Sequence, residues 1–209
     1  MALDLEEQEK LDELKAWWKQ NAKWVIGGVT AFVLAVAGWR GWQYWTHKQA
    51  SEASLLFDRA VQAAMLNDAK AVKETTGQIM EHYPRSGYAT PAAWLAGRLN
   101  HDAGDLKSAL AQYEYALEHA RDDSTKALAR LRLAAVYLDN KQPDKALALL
   151  AEPPAAAYAG LYANLKGDIL YTQGKTSEAR AAYQEALKQL DADSVLRPIV
   201  EIKLDALGG

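Results

Sequence analysis

The sequence predicts an all-α protein: one apolar helix near the N-terminus, then a solenoid of about four helix pairs with a C-terminal capping helix. Three observations predict it. Residues 24–39 form an uncharged run. Beyond it, apolar residues recur at helical spacing, as where Ala53, Leu56, Phe57, Ala60, Val61 and Ala64 share one face. Turn-forming pairs then break the helices at regular intervals, at Gly104-Asp105, Lys141-Gln142 and Gly174-Lys175. Half of the 209 residues are hydrophobic, and abundant alanine favours helix.

The apolar stretch reads WVIGGVTAFVLAVAGWRGWQYW, residues 24–45. Its uncharged part is 16 residues long, about 24 Å as a helix. Continued to Trp45 it reaches about 33 Å, enough for a hydrocarbon core of roughly 30 Å. Trp24 marks one end; Trp39, Trp42 and Trp45 mark the other. Each ring has an apolar body and a polar edge, which suits the membrane–water boundary. Arg40 sits where its stem can snorkel toward headgroups. We therefore expect a transmembrane helix over 24–45, a tail over 1–23 and a repeat domain over 46–209. Ala35-Val36-Ala37 matches a signal-cleavage pattern, but the preceding segment is long and richer in acids than bases, which favours an uncleaved anchor.

Flanking charge sets the expected orientation. Lys10, Lys15, Lys19 and Lys23 precede the span; Arg40, Lys48 and Arg59 follow its start. The positive-inside rule puts the N-terminus in the cytoplasm and the large domain across the membrane, the periplasm in a Gram-negative cell. In the tail, Leu11, Leu14 and Trp18 recur at helical spacing and predict an amphipathic lead-in helix.

After the span the chain repeats. Helices are expected over 48–66, 69–81, from a Thr90-Pro91 cap to about Ala103, over 106–120, 126–140, 143–151, 158–173 and 176–190. A final helix is expected from Ser194 through Leu207, with Val195, Ile199, Ile202 and Leu207 closing the stack. Ala109, Ala146 and Ala179 are separated by 37 and 33 residues, close to the roughly 34-residue tetratricopeptide period. Gly97, Gly104, Ala109, Tyr113 and Ala116 return at identical spacing as Gly167, Gly174, Ala179, Tyr183 and Ala186. Small residues at 97 and 109 let paired helices approach, Tyr113 is expected to fill the gap to the next pair, and Gly104 suits the positive φ of a helix end.

The order of tail, span and repeats resembles the YfgM family of ancillary SecYEG translocon subunits over essentially the full length. Its most specific parts are Gly38-Trp39-Arg40-Gly41-Trp42, Leu165-Lys166-Gly167-Asp168, Gly174-Lys175 and Ala179-Arg180. The resemblance implies a single-span inner-membrane protein with a periplasmic tetratricopeptide-like domain. It also implies association with SecYEG and with the periplasmic chaperone PpiD, in the handling of newly exported polypeptides.

The residues themselves argue for binding rather than catalysis. The chain has no cysteine, which excludes disulfides, thiol catalysis and thiolate metal sites. His47, His82, His101 and His119 form no metal-ligand spacing, and Gly27-Gly28 lies inside the apolar run without a phosphate-loop lysine. No cofactor and no metal are expected. The net charge of −3 comes without a basic stretch, so nucleic acid is not an expected partner. In stacks of this kind the first helix of each pair lines the concave side. The expected groove set is Trp94, Arg98 and His101, then Leu131, Ala135 and Leu138, then Asn164, Asp168 and Tyr171. The mixture suits an extended peptide or a partner helix. A competing assignment puts Leu131 and Leu138 in the core and Trp94 against the preceding repeat. The leading expectation is a membrane-anchored adaptor; the alternative is a regulator of an envelope stress response acting through residues 1–23. A homo-oligomer joined through the final helix is also compatible with the sequence.

Overall fold

The computed structural model describes residues 2–208, with side chains from residue 6. Among these the chain is all-helical, with no strand. It divides into two compact units, up to Gln49 and from Ala50.

The first unit belongs to α1 (Ala2–Met65). The expected tail, span and following helix are one continuous helix, and no proline interrupts residues 2–65. It is long and apolar enough to cross a membrane, and its most apolar stretch has no residue buried against protein. Trp24 is 83% exposed, and Trp39 and Trp42 lie with ring centroids 5.7 Å apart.

The second unit takes the C-terminal part of α1 and then α2 (Ala69–His82), α3 (Ala89–Asp102), α4 (Leu106–Glu118), α5 (Asp123–Asp139), α6 (Pro143–Leu149), α7 (Ala159–Thr172), α8 (Thr176–Gln189) and α9 (Arg197–Asp205). A 3-10 turn, Ala156–Tyr158, precedes α7. Helices α3/α4, α5/α6 and α7/α8 pack as pairs, and α4 on α5, α6 on α7 and α8 on α9 stack the pairs. Pro153-Pro154 follow α6 and keep it to seven residues.

One turn chemistry recurs. Asn67, Gly104, Lys141 and Gly174 all have positive φ, between 56° and 77°. In each case the next residue's N–H reaches back five residues, as in Asp105 N to Asn100 O at 2.8 Å and Gln142 N to Tyr137 O at 2.9 Å. This is the Schellman closure, which satisfies carbonyls orphaned at a helix end. At two of these turns the side chain of the following residue caps the next helix. Asp68 accepts from the Ala71 amide and Asp105 from the Ser108 amide, each at 3.0 Å.

Alanine makes up most of the buried hydrophobic residues, because small side chains let helix axes approach. Ala53, Ala60, Ala93, Ala109, Ala134 and Ala179 are almost wholly enclosed. Tyrosine hydroxyls tie pair to pair: Tyr115 donates to the Met80 carbonyl at 3.2 Å and Tyr162 to that of Ala127 at 2.8 Å.

Three expectations are corrected. Helix α3 starts at Ala89 with no side-chain cap, so Thr90-Pro91 lie inside its first turn. Tyr113 does pack with Leu133 and Val136 of the next pair, but its ring also lies over Gly97 of its own, where an added Cβ would come within 3.0 Å. The last helix starts at Arg197 rather than at a Ser194 cap, and its inner face is different. Leu196, Val200, Leu204 and Leu207 close the stack against Leu170, Tyr183 and Ala186. Val195, Ile199 and Ile202 point outward, at 90%, 48% and 68% exposure. Both faces of this helix are apolar, so periodicity could not choose between them; the ion pair that Lys203 makes with α7 fixes the rotation.

Candidate functional site

The expected groove set is scattered over different environments. Trp94, Arg98 and His101 project from α3 into a cleft of about 310 Å³ that also takes Tyr113 from α4 and Leu128, Arg132 and Ala135 from α5. Leu131 is half-buried outside this cleft. Leu138 packs with Ala134, Ala146 and Ile169 in the core. Asn164 and Asp168 receive the Lys203 ammonium of α9, at 3.0 Å for Asn164 and 2.7 and 2.8 Å for the two Asp168 oxygens. Tyr171 is 57% exposed.

The cleft has an apolar floor and a charged rim. Trp94, Leu128, Ala135 and the buried Tyr113 ring form the floor. The indole N–H of Trp94 is buried without an acceptor. Arg98 and Asp102, one helical turn apart, form a loose exposed pair at 3.7 Å, an arrangement that holds little energy in water. His101 Nε2 lies 2.6 Å from Asp139 Oδ2 and so bridges α3 to the end of α5. Arg132 has no carboxylate within ion-pair distance among the described residues. Burial pushes the Tyr113 hydroxyl above its ordinary pKa; Arg132 opposes that shift most strongly, Asp102 adds to it and Arg98 opposes it.

The equivalent place between α7 and α8 is filled. There the Tyr183 hydroxyl donates to Asp168 at 2.8 Å, and Lys203 completes the pair. Burial and the Asp168 hydrogen bond both raise the Tyr183 pKa strongly. Arg180 donates to the carbonyls of Leu207 and Gly208, and Arg197 to that of Leu187 at 2.6 Å, which further fix the C-terminal segment. The sequence reasoning missed Arg132, Leu128 and the cleft-facing role of Tyr113. The available signal was the charge reversal between Arg98 and Asp168, which occupy the same repeat position. Among the described residues no cluster of His, Asp and Glu suits a metal ion.

The fold defines a helical-repeat domain preceded by a long apolar helix. The family model for a tetratricopeptide repeat-like domain matches residues 15–209. Curated proteins named ancillary SecYEG translocon subunit are similar across the chain. The one from Neisseria gonorrhoeae is 33% identical over 99% of this chain and 100% of its own, and that from Haemophilus influenzae is 30% identical over the same shares. The one from Escherichia coli is 28% identical over 96% of each. The solved structure of the MamA RS-1 ArsTM double mutant matches with a TM-score of 0.56 over 74% of this chain and 88% of its own; at 18% identity it speaks for the fold alone. The chain belongs to the YfgM family of tetratricopeptide repeat-like proteins, whose curated members carry that translocon-subunit name.

Proposed function

We propose that this chain is a non-enzymatic, membrane-anchored adaptor of the Sec translocon. The observation that carries the proposal is the similarity, along almost the whole chain, to proteins named as ancillary SecYEG subunits. Residues 24–45 span the inner membrane once, residues 1–23 lie in the cytoplasm and residues 46–209 form a periplasmic domain. The unburied apolar window and the tryptophans at its two ends support the span, since lipid satisfies such a surface where water does not. The lysines before it support the orientation.

The repeat domain binds polypeptide: a periplasmic chaperone of the PpiD kind, newly exported chains, or both. The cleft lined by Trp94, Arg98 and His101 supports this, because it joins an apolar floor to polar groups that fix orientation. Anchoring raises the effective concentration of this cleft beside the translocon, so weak contacts suffice.

The test is affinity capture from membranes in mild detergent, with the full chain and a form lacking residues 1–46 as baits. Translocon subunits are expected with the full chain alone, and the chaperone with both. Failure to recover either class would remove the adaptor function and favour signalling through the tail.

A further inference from the structure

The repeat framework presents one tyrosine twice in opposite company. Tyr183 and Tyr113 occupy the same position, each laid over a glycine of the paired helix. Tyr183 donates to the Asp168 carboxylate, and Lys203 supplies the countercharge. At Tyr113 the position of Asp168 is held by Arg98, and Arg132 enters from α5. The Tyr113 hydroxyl finds no hydrogen-bond partner among the described residues. The cation and phenol of the filled site are thus both present in the open one, while no carboxylate stands at the position of Asp168; Asp102 also lines the cleft, but it is exposed, lies 3.7 Å from Arg98 and makes no hydrogen bond to the Tyr113 hydroxyl.

We propose that the cleft between α3, α4 and α5 is a subsite for an acidic side chain, an Asp or Glu carboxylate carried by an extended polypeptide. The carboxylate accepts from the forked guanidiniums of Arg98 and Arg132 and from the Tyr113 hydroxyl. The methylenes of the incoming side chain lie on Trp94, Leu128 and Ala135. Arg98 releases little by turning from Asp102, since that pair is long and solvated. A volume of about 310 Å³ admits the side chain together with the backbone that carries it. The inference rests on the polypeptide-binding role proposed above and names the chemistry that this cleft selects.

The test uses the full chain in neutral detergent micelles and peptides of Ser, Ala and Glu, end-blocked and labelled with an uncharged dye. Their Glu→Gln counterparts serve as comparison, once end-blocked and once with a free C-terminus. Fluorescence anisotropy should show the Glu peptide bound about tenfold more tightly than the blocked Gln peptide, with the advantage falling as salt rises. Arg132→Gln and Arg98→Gln should each remove most of that preference, Arg132→Lys should keep part of it, and Tyr113→Phe should weaken Glu-peptide binding by about threefold. Circular dichroism should be unchanged, since both arginines are exposed. Equal binding of the blocked Glu and Gln peptides would overturn the carboxylate subsite and leave the polypeptide-binding role standing. A Glu preference that survives both arginine substitutions, or a free C-terminus that replaces Glu, would also overturn it. Absence of binding by every peptide would overturn the subsite and the polypeptide-binding role together.

Discussion

The α3/α4 and α7/α8 pairs share one framework and differ at one decisive position. Both lay a tyrosine on a glycine, both close their turn with a positive-φ glycine, and both bury an alanine at the start of the second helix. At the position after the glycine, α3 has Arg98 and α7 has Asp168. Asp168 draws in the C-terminal helix through Lys203 and anchors Tyr183, so this end of the stack is closed. Arg98 repels such an arrangement and leaves Tyr113 at the floor of a cleft. The lesson is that glycine, alanine and tyrosine set how the helices pack, while one charge decides whether a site is filled from within or left for a partner.

The comparison breaks most readily at that charge. Asp168→Ala leaves the buried Tyr183 hydroxyl without its acceptor and the half-buried Lys203 ammonium with Asn164 alone. It should cost about 2–3 kcal/mol in urea unfolding, below the full value for a buried pair because Lys203 and Asp168 are 30% and 27% exposed. Arg98→Ala at the equivalent position should cost no more than about 0.5 kcal/mol. Equal costs would mean that the two positions are not distinct.

The two glycines sharpen it next. A Cβ at Gly167 would come within 2.4 Å of a Tyr183 ring that Asp168 anchors, whereas at Gly97 it would come within 3.0 Å of a Tyr113 ring whose hydroxyl is not tied. Gly167→Ala should therefore destabilise by about 1–2 kcal/mol. Gly97→Ala should be near neutral, as overpacking is offset by a helix-propensity gain of about 0.5–1 kcal/mol. Thermal unfolding of the two variants measures the difference.

The turns should show a smaller effect. Between the two pairs, Lys141 holds at φ 60° the conformation that Gly104 and Gly174 adopt. Lys141→Gly should stabilise by about 0.5–1 kcal/mol in the same urea experiment.

The smallest difference lies in the caps. Ser108 donates to Asp105 from side chain and backbone, which holds that carboxyl below the usual range. Its contribution to stability is complete above the ordinary carboxylate pKa and is lost as pH falls through the lowered one. The equivalent Lys175 makes no side-chain cap bond. Amide exchange at Ser108 should accelerate at acid pH relative to the base-line trend, while exchange at Glu178 should not; parallel behaviour would remove the distinction.

Sequence alone determined the all-helical class, the tetratricopeptide period, the turn positions and the single apolar helix. These are local: glycine tolerates positive φ, small residues admit close helices, and a long uncharged run has few soluble uses. That Trp94, Arg98 and His101 share one face of α3 was legible in the same way, and they line one cleft. Tertiary structure decided the rest. Leu138 turned into the core, Arg132 and Tyr113 joined the cleft, and Lys203 covered Asn164 and Asp168. The face that α9 presents was likewise undetermined, since Leu196, Val200 and Leu204 compete on equal terms with Val195, Ile199 and Ile202. Periodicity measures how apolar each face is, and here both faces were alike; the pairing of one lysine with a carboxylate on a helix 35 residues earlier decided which face went inward.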